Sequence, residues 1–181
     1  MCGRYFESIF SIVNILLEKS KFTRLIQSHR GFDTFRYDCC VDWAIELLQK
    51  GIITDNVEML ASFSKPVNYW EIKHYVGNVL KEFNLEEFEG KKALASRAYF
   101  YIWSILNNEG IILHHLRTLC QMCIDDDYEE SIYPFYLLKY SWEDLEELGM
   151  SCHYPNVTFN NFFEAVLNEA NIWIKNFEEL K

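Results

Sequence analysis

The chain has 181 residues, of which 50% are hydrophobic and 17% are aromatic, and its formal net charge is −10. This high content of hydrophobic residues excludes a disordered chain, and the negative charge opposes binding to nucleic acid. Seven glycines and three prolines are too few for the turns of a β-sandwich or barrel. We therefore predict an all-α protein with a single domain over residues 1–181.

The first half of the chain shows helical spacing of apolar residues. Residues 4–19 predict an amphipathic helix, and residues 37–50 predict a second that stops at Gly51. A short third helix, capped by Thr54 or Asp55, is expected over residues 56–63. The pair Asn68 and Glu71 then resembles a capping box that opens the fourth.

Residues 90–110 are apolar on nearly every side of a helical wheel. Such a helix belongs inside a protein, surrounded by other helices, so we predict that it is the central helix of the fold. It is also too short and too charged near its start to span a membrane.

The remainder of the chain predicts further helices. A helix follows Gly110 and continues the apolar row through Cys123, and Pro134 is placed in the first turn of the next. Ser141 and Asp144 resemble a capping pair that opens another short helix. The last helix is predicted over residues 159–180, capped by Thr158.

The total is seven to nine helices, for which the sequence leaves two architectures open. Trp43 followed by Gly51, and Trp103 followed by Gly110, suggest a repeated helix–glycine–helix unit about sixty residues apart. A short HEAT-like array of α-hairpins would show such a repeat. A compact helix bundle is the alternative.

Charge is distributed unevenly along the chain. Residues 1–36 carry six Lys or Arg against three Asp or Glu, whereas residues 124–150 carry one Lys against nine acidic residues. A concentrated acidic face can capture a basic protein partner. The predicted partner-binding residues are Asp125, Asp126, Asp127, Glu129, Glu130, Glu143, Asp144, Glu146 and Glu147.

A metal- or thiol-dependent protein is the alternative class. Cys120 and Cys123 form a CxxC motif that His114 and His115 precede, and these residue types ligate zinc. Because no second CxxC is present and the cysteines continue an apolar row, we interpret them as core residues, with no metal and no other cofactor. Phosphate-binding glycine loops and HExxH or GxSxG motifs are missing as well. We therefore predict that the protein is not an enzyme.

The pattern from Trp43 through Phe83, with Leu47-Leu48, Gly51, Leu60-Ala61-Ser62 and Pro66, and the stretch 105–112 resemble small bacterial all-helical proteins of uncharacterised function. Some proteins of that HEAT-like type are immunity proteins that neutralise a toxin domain. The resemblance implies a protein that binds a toxin, and the acidic charge of the chain would suit a basic one. The resemblance implies no role for any particular residue. The six cysteines form no spaced disulfide framework, which predicts reduced thiols in a cytoplasmic protein. Neither nucleic acid nor membrane is an expected partner, and self-association through exposed aromatic side chains of the last helix is a further hypothesis.

Overall fold

The computed structural model describes Leu17, residues 20–31 and residues 35–179. Within these ranges the chain forms eight α-helices and one short 3₁₀ helix, with no β-strand, so the all-α prediction of seven to nine helices is confirmed. The helix predicted over residues 4–19 lies outside the described residues, apart from Leu17. The α-helices are α1 (Lys21–Gln27), α2 (Asp38–Gln49), α3 (Asp55–Ala61), α4 (Tyr69–Glu82), α5 (Gly90–Leu106), α6 (Ile112–Asp125), α7 (Tyr133–Leu148) and α8 (Phe162–Glu179).

None of the described helices combines the length and apolar character needed to cross a membrane. Contacts along the chain define two compact units, Met1–Arg97 and Ala98–Lys181. Helix α5 runs without interruption through the boundary between them. The prediction of a single domain stays a prediction.

The core of the first unit forms around α2. Its Trp43 is fully buried, and the indole Nε1–H donates to Thr23 Oγ1 on α1 at 3.0 Å. Helix α2 packs against α1 and α3, and α3 packs against α4. Thr54 and Asn68 cap α3 and α4, as expected, by accepting bonds from backbone N–H groups at 3.2 Å and 2.9 Å.

In the second unit α7 packs against both α6 and α8. The predicted helix start at Ser141 is wrong, because α7 is continuous and Ser141 is buried within it, where its hydroxyl accepts a bond from Ser151 Oγ at 2.9 Å. Thr158 does not cap α8. The Asn161 side chain instead accepts a bond from the Thr158 N–H at 2.7 Å, and the helix begins at Phe162.

The end predicted for the helix at Gly110 is also wrong. Helix α5 ends at Leu106, where Asn108 adopts a left-handed conformation (φ 53°) and the Glu109 N–H donates to the Ser104 carbonyl at 2.9 Å. At the end of α2 it is Gly51 itself (φ 77°) that has this role. The two glycines of the proposed repeat are therefore not equivalent, and the HEAT-like array stays a prediction.

Candidate protein-binding site

The acidic residues predicted from the sequence lie in two groups at opposite ends of α7. Asp125 ends α6, and Asp126, Asp127, Glu129 and Glu130 belong to the turn between α6 and α7. Glu143, Asp144, Glu146 and Glu147 belong to the last two turns of α7. At 1.5 Å per residue, Tyr133 and Glu147 are separated by about 21 Å along the helix. Asp126, Asp127, Glu130, Glu146 and Glu147 are exposed.

Asp125, Glu143 and Asp144 bond to other side chains or backbone groups of the chain. Asp125 accepts a hydrogen bond from Gln121 Nε2 at 2.7 Å, and Glu143 pairs with Lys139 Nζ at 2.8 Å. Asp144 Oδ2 accepts bonds from the Cys152 N–H at 2.8 Å and from His153 Nδ1 at 2.7 Å. These bonds, the backbone one foremost, hold the pKa of Asp144 below its ordinary value. Asp144 therefore fixes the loop after α7.

A row of aromatic rings connects the two acidic groups. Tyr136 lies at its centre, with its ring centroid 5.3 Å from that of Tyr133, 5.4 Å from Tyr128 and 4.8 Å from Tyr140. The ring of His153 lies 5.4 Å from that of Tyr140 and ends the row. We call these five residues the tyrosine strip.

The spacing along α7 explains why the strip is continuous. Tyr133, Tyr136, Tyr140, Glu143 and Glu147 follow one another at intervals of three or four residues, which places them on one helical face. Tyr128 and Tyr133 are 51% and 38% exposed, so solvent reaches the strip from its N-terminal end.

The turn that carries Tyr128 has an unusual backbone. Asp127 (φ 51°) and Tyr128 (φ 62°) are two consecutive residues in the left-handed backbone region, which residues other than glycine rarely adopt. Each such residue costs on the order of 1 kcal/mol or more, and strain of this kind is concentrated at functional sites. Here it holds the Tyr128 ring against Tyr136.

A positively charged side chain of the protein itself, Lys139, lies on the same part of α7. The Lys139 ammonium lies 3.7 Å from the centroid of the Tyr140 ring and bonds to Glu143 at 2.8 Å. The Lys139 ammonium thus contacts the Tyr140 ring and the Glu143 carboxylate at the same time, an arrangement that is favourable for Lys and Arg.

The alternative metal ligands predicted from the sequence do not form one site. They are His114, His115, Cys120 and Cys123. Cys120 and Cys123 are buried, whereas His114 is exposed and His115 Nε2 donates to the Glu109 carbonyl at 2.7 Å. Burial raises the pKa of Cys120, and burial together with the neighbouring Cys120 raises that of Cys123 to about 11. Among the described residues, no group of three or more His, Cys, Asp or Glu side chains is arranged to hold a metal ion.

The first unit also contains a polar cluster that was not predicted from the sequence. His29 is only 3% exposed, and its ring nitrogens lie 3.0 Å from Tyr37 Oη and 3.0 Å from Glu87 Oε2. Arg30 Nε also pairs with Glu87, at 2.6 Å. Residues 29 and 87 are 58 positions apart, so only the fold brings them together.

Desolvation lowers the pKa of His29 more than the nearby Glu87 raises it, so the ring is neutral at neutral pH. Because a carboxylate only accepts, Nε2 carries the proton and Nδ1 accepts from the Tyr37 hydroxyl. Burial and the neighbouring Tyr69 raise the pKa of Tyr37, which keeps that hydroxyl protonated. The cluster is thus a satisfied network that fixes the loop before α5.

Comparison with known proteins found no match: no family model, no curated protein and no solved structure is similar to this chain.

Proposed function

We propose that the protein is a non-enzymatic binding protein that captures a basic protein partner on the tyrosine strip and the carboxylates at its two ends. The observation that carries this proposal is the continuous row of four tyrosines on and beside α7, between two acidic groups. Tyrosine is enriched at protein interfaces, where its rigid ring supplies contact area at a small cost in conformational entropy.

The chemistry of the strip favours arginine- and lysine-rich surfaces. A guanidinium or ammonium can lie on a tyrosine face while its charge meets a carboxylate at either end, as Lys139 does at Tyr140 and Glu143. Each such contact is worth about 0.5–2 kcal/mol, depending on how far it is desolvated. The net charge of −10 would also accelerate encounter with a basic partner.

A toxin-neutralising immunity protein of the cytoplasm fits this description. The supporting observations are the resemblance of the segment from Trp43 through Phe83 to small bacterial helical proteins and the acidic character of the strip. A basic toxin domain, such as a nuclease, would be held by charge and aromatic contacts, and no cofactor would be required.

The test is a pull-down from the native cell with five baits, each at low and high salt, followed by mass spectrometry. The baits are the wild type, Tyr136→Ala, Phe159→Ala, the double variant Asp126→Asn/Glu130→Gln, and Glu164→Gln. Glu164 is exposed on α8 and outside the strip, so its variant is the control for loss of an acidic charge elsewhere on the protein. We expect one basic protein to be retained by the wild type and Glu164→Gln at low salt, and lost at high salt.

Tyr136→Ala should weaken binding of that protein about 30-fold or more, because Tyr136 is at the centre of the strip, where interface energy is concentrated. Phe159→Ala removes an aromatic ring that is 51% exposed outside the strip and serves as the second control. Circular dichroism confirms that each variant is folded. Equal retention by wild type and Tyr136→Ala would contradict the proposal.

A further inference from the structure

An open cleft of about 1380 Å³ lies in the first unit. One wall is a face of α4 that runs from Tyr69 to Lys81. The other lining residues are His29 and Arg30, Phe35 and Tyr37, and residues 84–87. The His29 network described above joins three of these lining residues, since His29 bonds to both Tyr37 and Glu87.

Gly77 lies on the α4 wall of the cleft. A Cβ atom added there would have no neighbouring atom within 4 Å, and the residue does not adopt a positive φ. Neither packing nor backbone conformation therefore requires glycine, although glycine inside a helix costs about 1 kcal/mol relative to alanine. Its position fits a cleft in which a ligand approaches the helix backbone closely.

Two lysines flank this open position. Lys73, Gly77 and Lys81 follow one another at intervals of four residues, so they form one row along the helix. Among the described residues, no carboxylate forms an ion pair with either lysine. The row therefore places one lysine about one helical turn to each side of Gly77.

The two carboxylates that line the cleft are already neutralised. Glu87 pairs with Arg30 and His29, and Glu86 pairs with Lys92 Nζ at 2.6 Å. The cleft is therefore locally positive, in a chain whose net charge is −10. Such a site selects an anion.

Aromatic rings continue the wall beside the lysines. The centroid of Tyr37 lies 4.9 Å from that of Phe35 and 5.0 Å from that of Tyr69. The Lys73 ammonium lies 5.1 Å from the Tyr69 ring centroid, so the aromatic wall and the positive row meet. A flat apolar body can pack on these rings while an acidic group reaches the lysines.

We propose that this cleft binds a small aromatic anion, with its acid group over Gly77 between Lys73 and Lys81 and its ring against Tyr37 and Tyr69. Both halves of the ligand are required: the lysines hold the carboxylate or phosphate, and the ring wall orients it. This site is separate in chemistry from the acidic tyrosine strip, and the two proposals are independent.

The experiment is an NMR titration of the ¹⁵N-labelled protein, with the Gly77 amide as reporter and, in every variant, the amide of the neighbouring cleft residue Asn78 as a second one. The probes are phenyl phosphate, benzoate, phenol and inorganic phosphate. At least one of the two aromatic anions should shift the Gly77 resonance saturably and bind at least about tenfold more tightly than phenol and inorganic phosphate. The tighter of the two identifies the acid group as phosphate or carboxylate.

Three variants decide the assignment. Lys73→Gln/Lys81→Gln should lose about tenfold or more in affinity, whereas Lys50→Gln/Lys65→Gln removes the same charge outside the cleft and should leave affinity unchanged. Gly77→Leu fills the open position with a good helix former and should abolish binding while the helical circular dichroism spectrum is retained. Phenol binding as tightly as both anions, or wild-type affinity in Gly77→Leu, would overturn the proposal.

Discussion

His29 shows how one buried side chain can make stability depend on pH. It is 3% exposed and neutral, with Nε2–H bonded to Glu87 and Nδ1 accepting from Tyr37. Its pKa in the folded chain lies below the ordinary value of 6.5 because desolvation outweighs the attraction of Glu87. The unfolded chain therefore binds a proton at His29 more readily than the folded chain does.

We expect the free energy of unfolding to fall as the pH is lowered below about 6.5, over the interval down to the folded pKa of His29. The stabilising contribution is present above that interval and is lost within it. Urea unfolding at a series of pH values measures this slope. In His29→Gln the slope over the same interval should be smaller, and an identical slope in the two proteins would contradict the assignment.

Trp43 and Thr23 provide a second prediction at this scale. The buried indole N–H has Thr23 Oγ1 as its acceptor at 3.0 Å, and Thr23 is 2% exposed. Thr23→Val conserves shape but leaves the N–H without that acceptor, which should cost about 1–3 kcal/mol in urea unfolding.

Thr118→Val is the matched control for that change, because Thr118 is half-buried and bonds only to the His114 carbonyl of its own helix. Its effect should stay within about 0.5 kcal/mol. An equally small effect of Thr23→Val would mean that the indole N–H finds another partner.

At the scale of helices, two glycines have opposite conformational roles. Gly77 lies within α4 without a positive φ, whereas Gly149 ends α7 at φ 74°, and at both positions an added Cβ would have no neighbour within 4 Å. Neighbouring atoms therefore leave room for an alanine side chain at both sites. Only the backbone conformation distinguishes them.

Gly77→Ala should raise the free energy of unfolding by about 1 kcal/mol, because alanine is the better helix former. Gly149→Ala should lower it by about 1–2 kcal/mol, because an L-residue is strained in the left-handed region. Thermal and urea unfolding of both variants measure the difference. Two changes of the same sign would contradict this description of the helices.

Periodicity predicted the helices well and their ends less well. The helical spacing after Asn68 and the cap at Thr54 are properties of adjacent residues, and both are confirmed. The predicted end of α5 was wrong because the left-handed residue that closes the helix is Asn108 (φ 53°), although Gly110 two residues later also has a positive φ (73°). Ser141 suggested a helix start because a cap and a buried serine look alike in sequence.

That error also concealed the tyrosine strip. Tyr133, Tyr136 and Tyr140 have helical spacing, but a helix break at Ser141 separates them from Glu143 and Glu147. Tyr128 joins the strip only through the conformation of the turn before α7, which local sequence does not specify. The acidic residues could be predicted because they are concentrated in one segment.

At the scale of the whole molecule, α5 is the element that belongs to both compact units. Residues 90–97 are in the first unit and residues 98–106 in the second. A helix of this length depends on tertiary packing for its stability, since isolated helices are marginal in water. Loss of either unit therefore removes support from part of α5.

We expect this coupling to give a single thermal transition, in accord with the prediction of one domain. Differential scanning calorimetry should yield equal calorimetric and van't Hoff enthalpies. Trp43→Ala, which leaves a cavity in the core of the first unit, should shift that single transition to lower temperature as a whole. Two resolved transitions, with only one shifted by Trp43→Ala, would instead define two domains.

The loop that Asp144 fixes has a practical consequence for optical work on this protein. Cys152 is exposed, whereas Cys40, Cys120 and Cys123 are buried and Cys39 is half-buried. A maleimide dye should therefore react readily with Cys152 in a Cys2→Ser/Cys39→Ser background. Because the Cys152 N–H is bonded to Asp144 and His153 ends the tyrosine strip, the dye would sit beside that strip on an anchored backbone. Its fluorescence anisotropy would then report on binding there in real time.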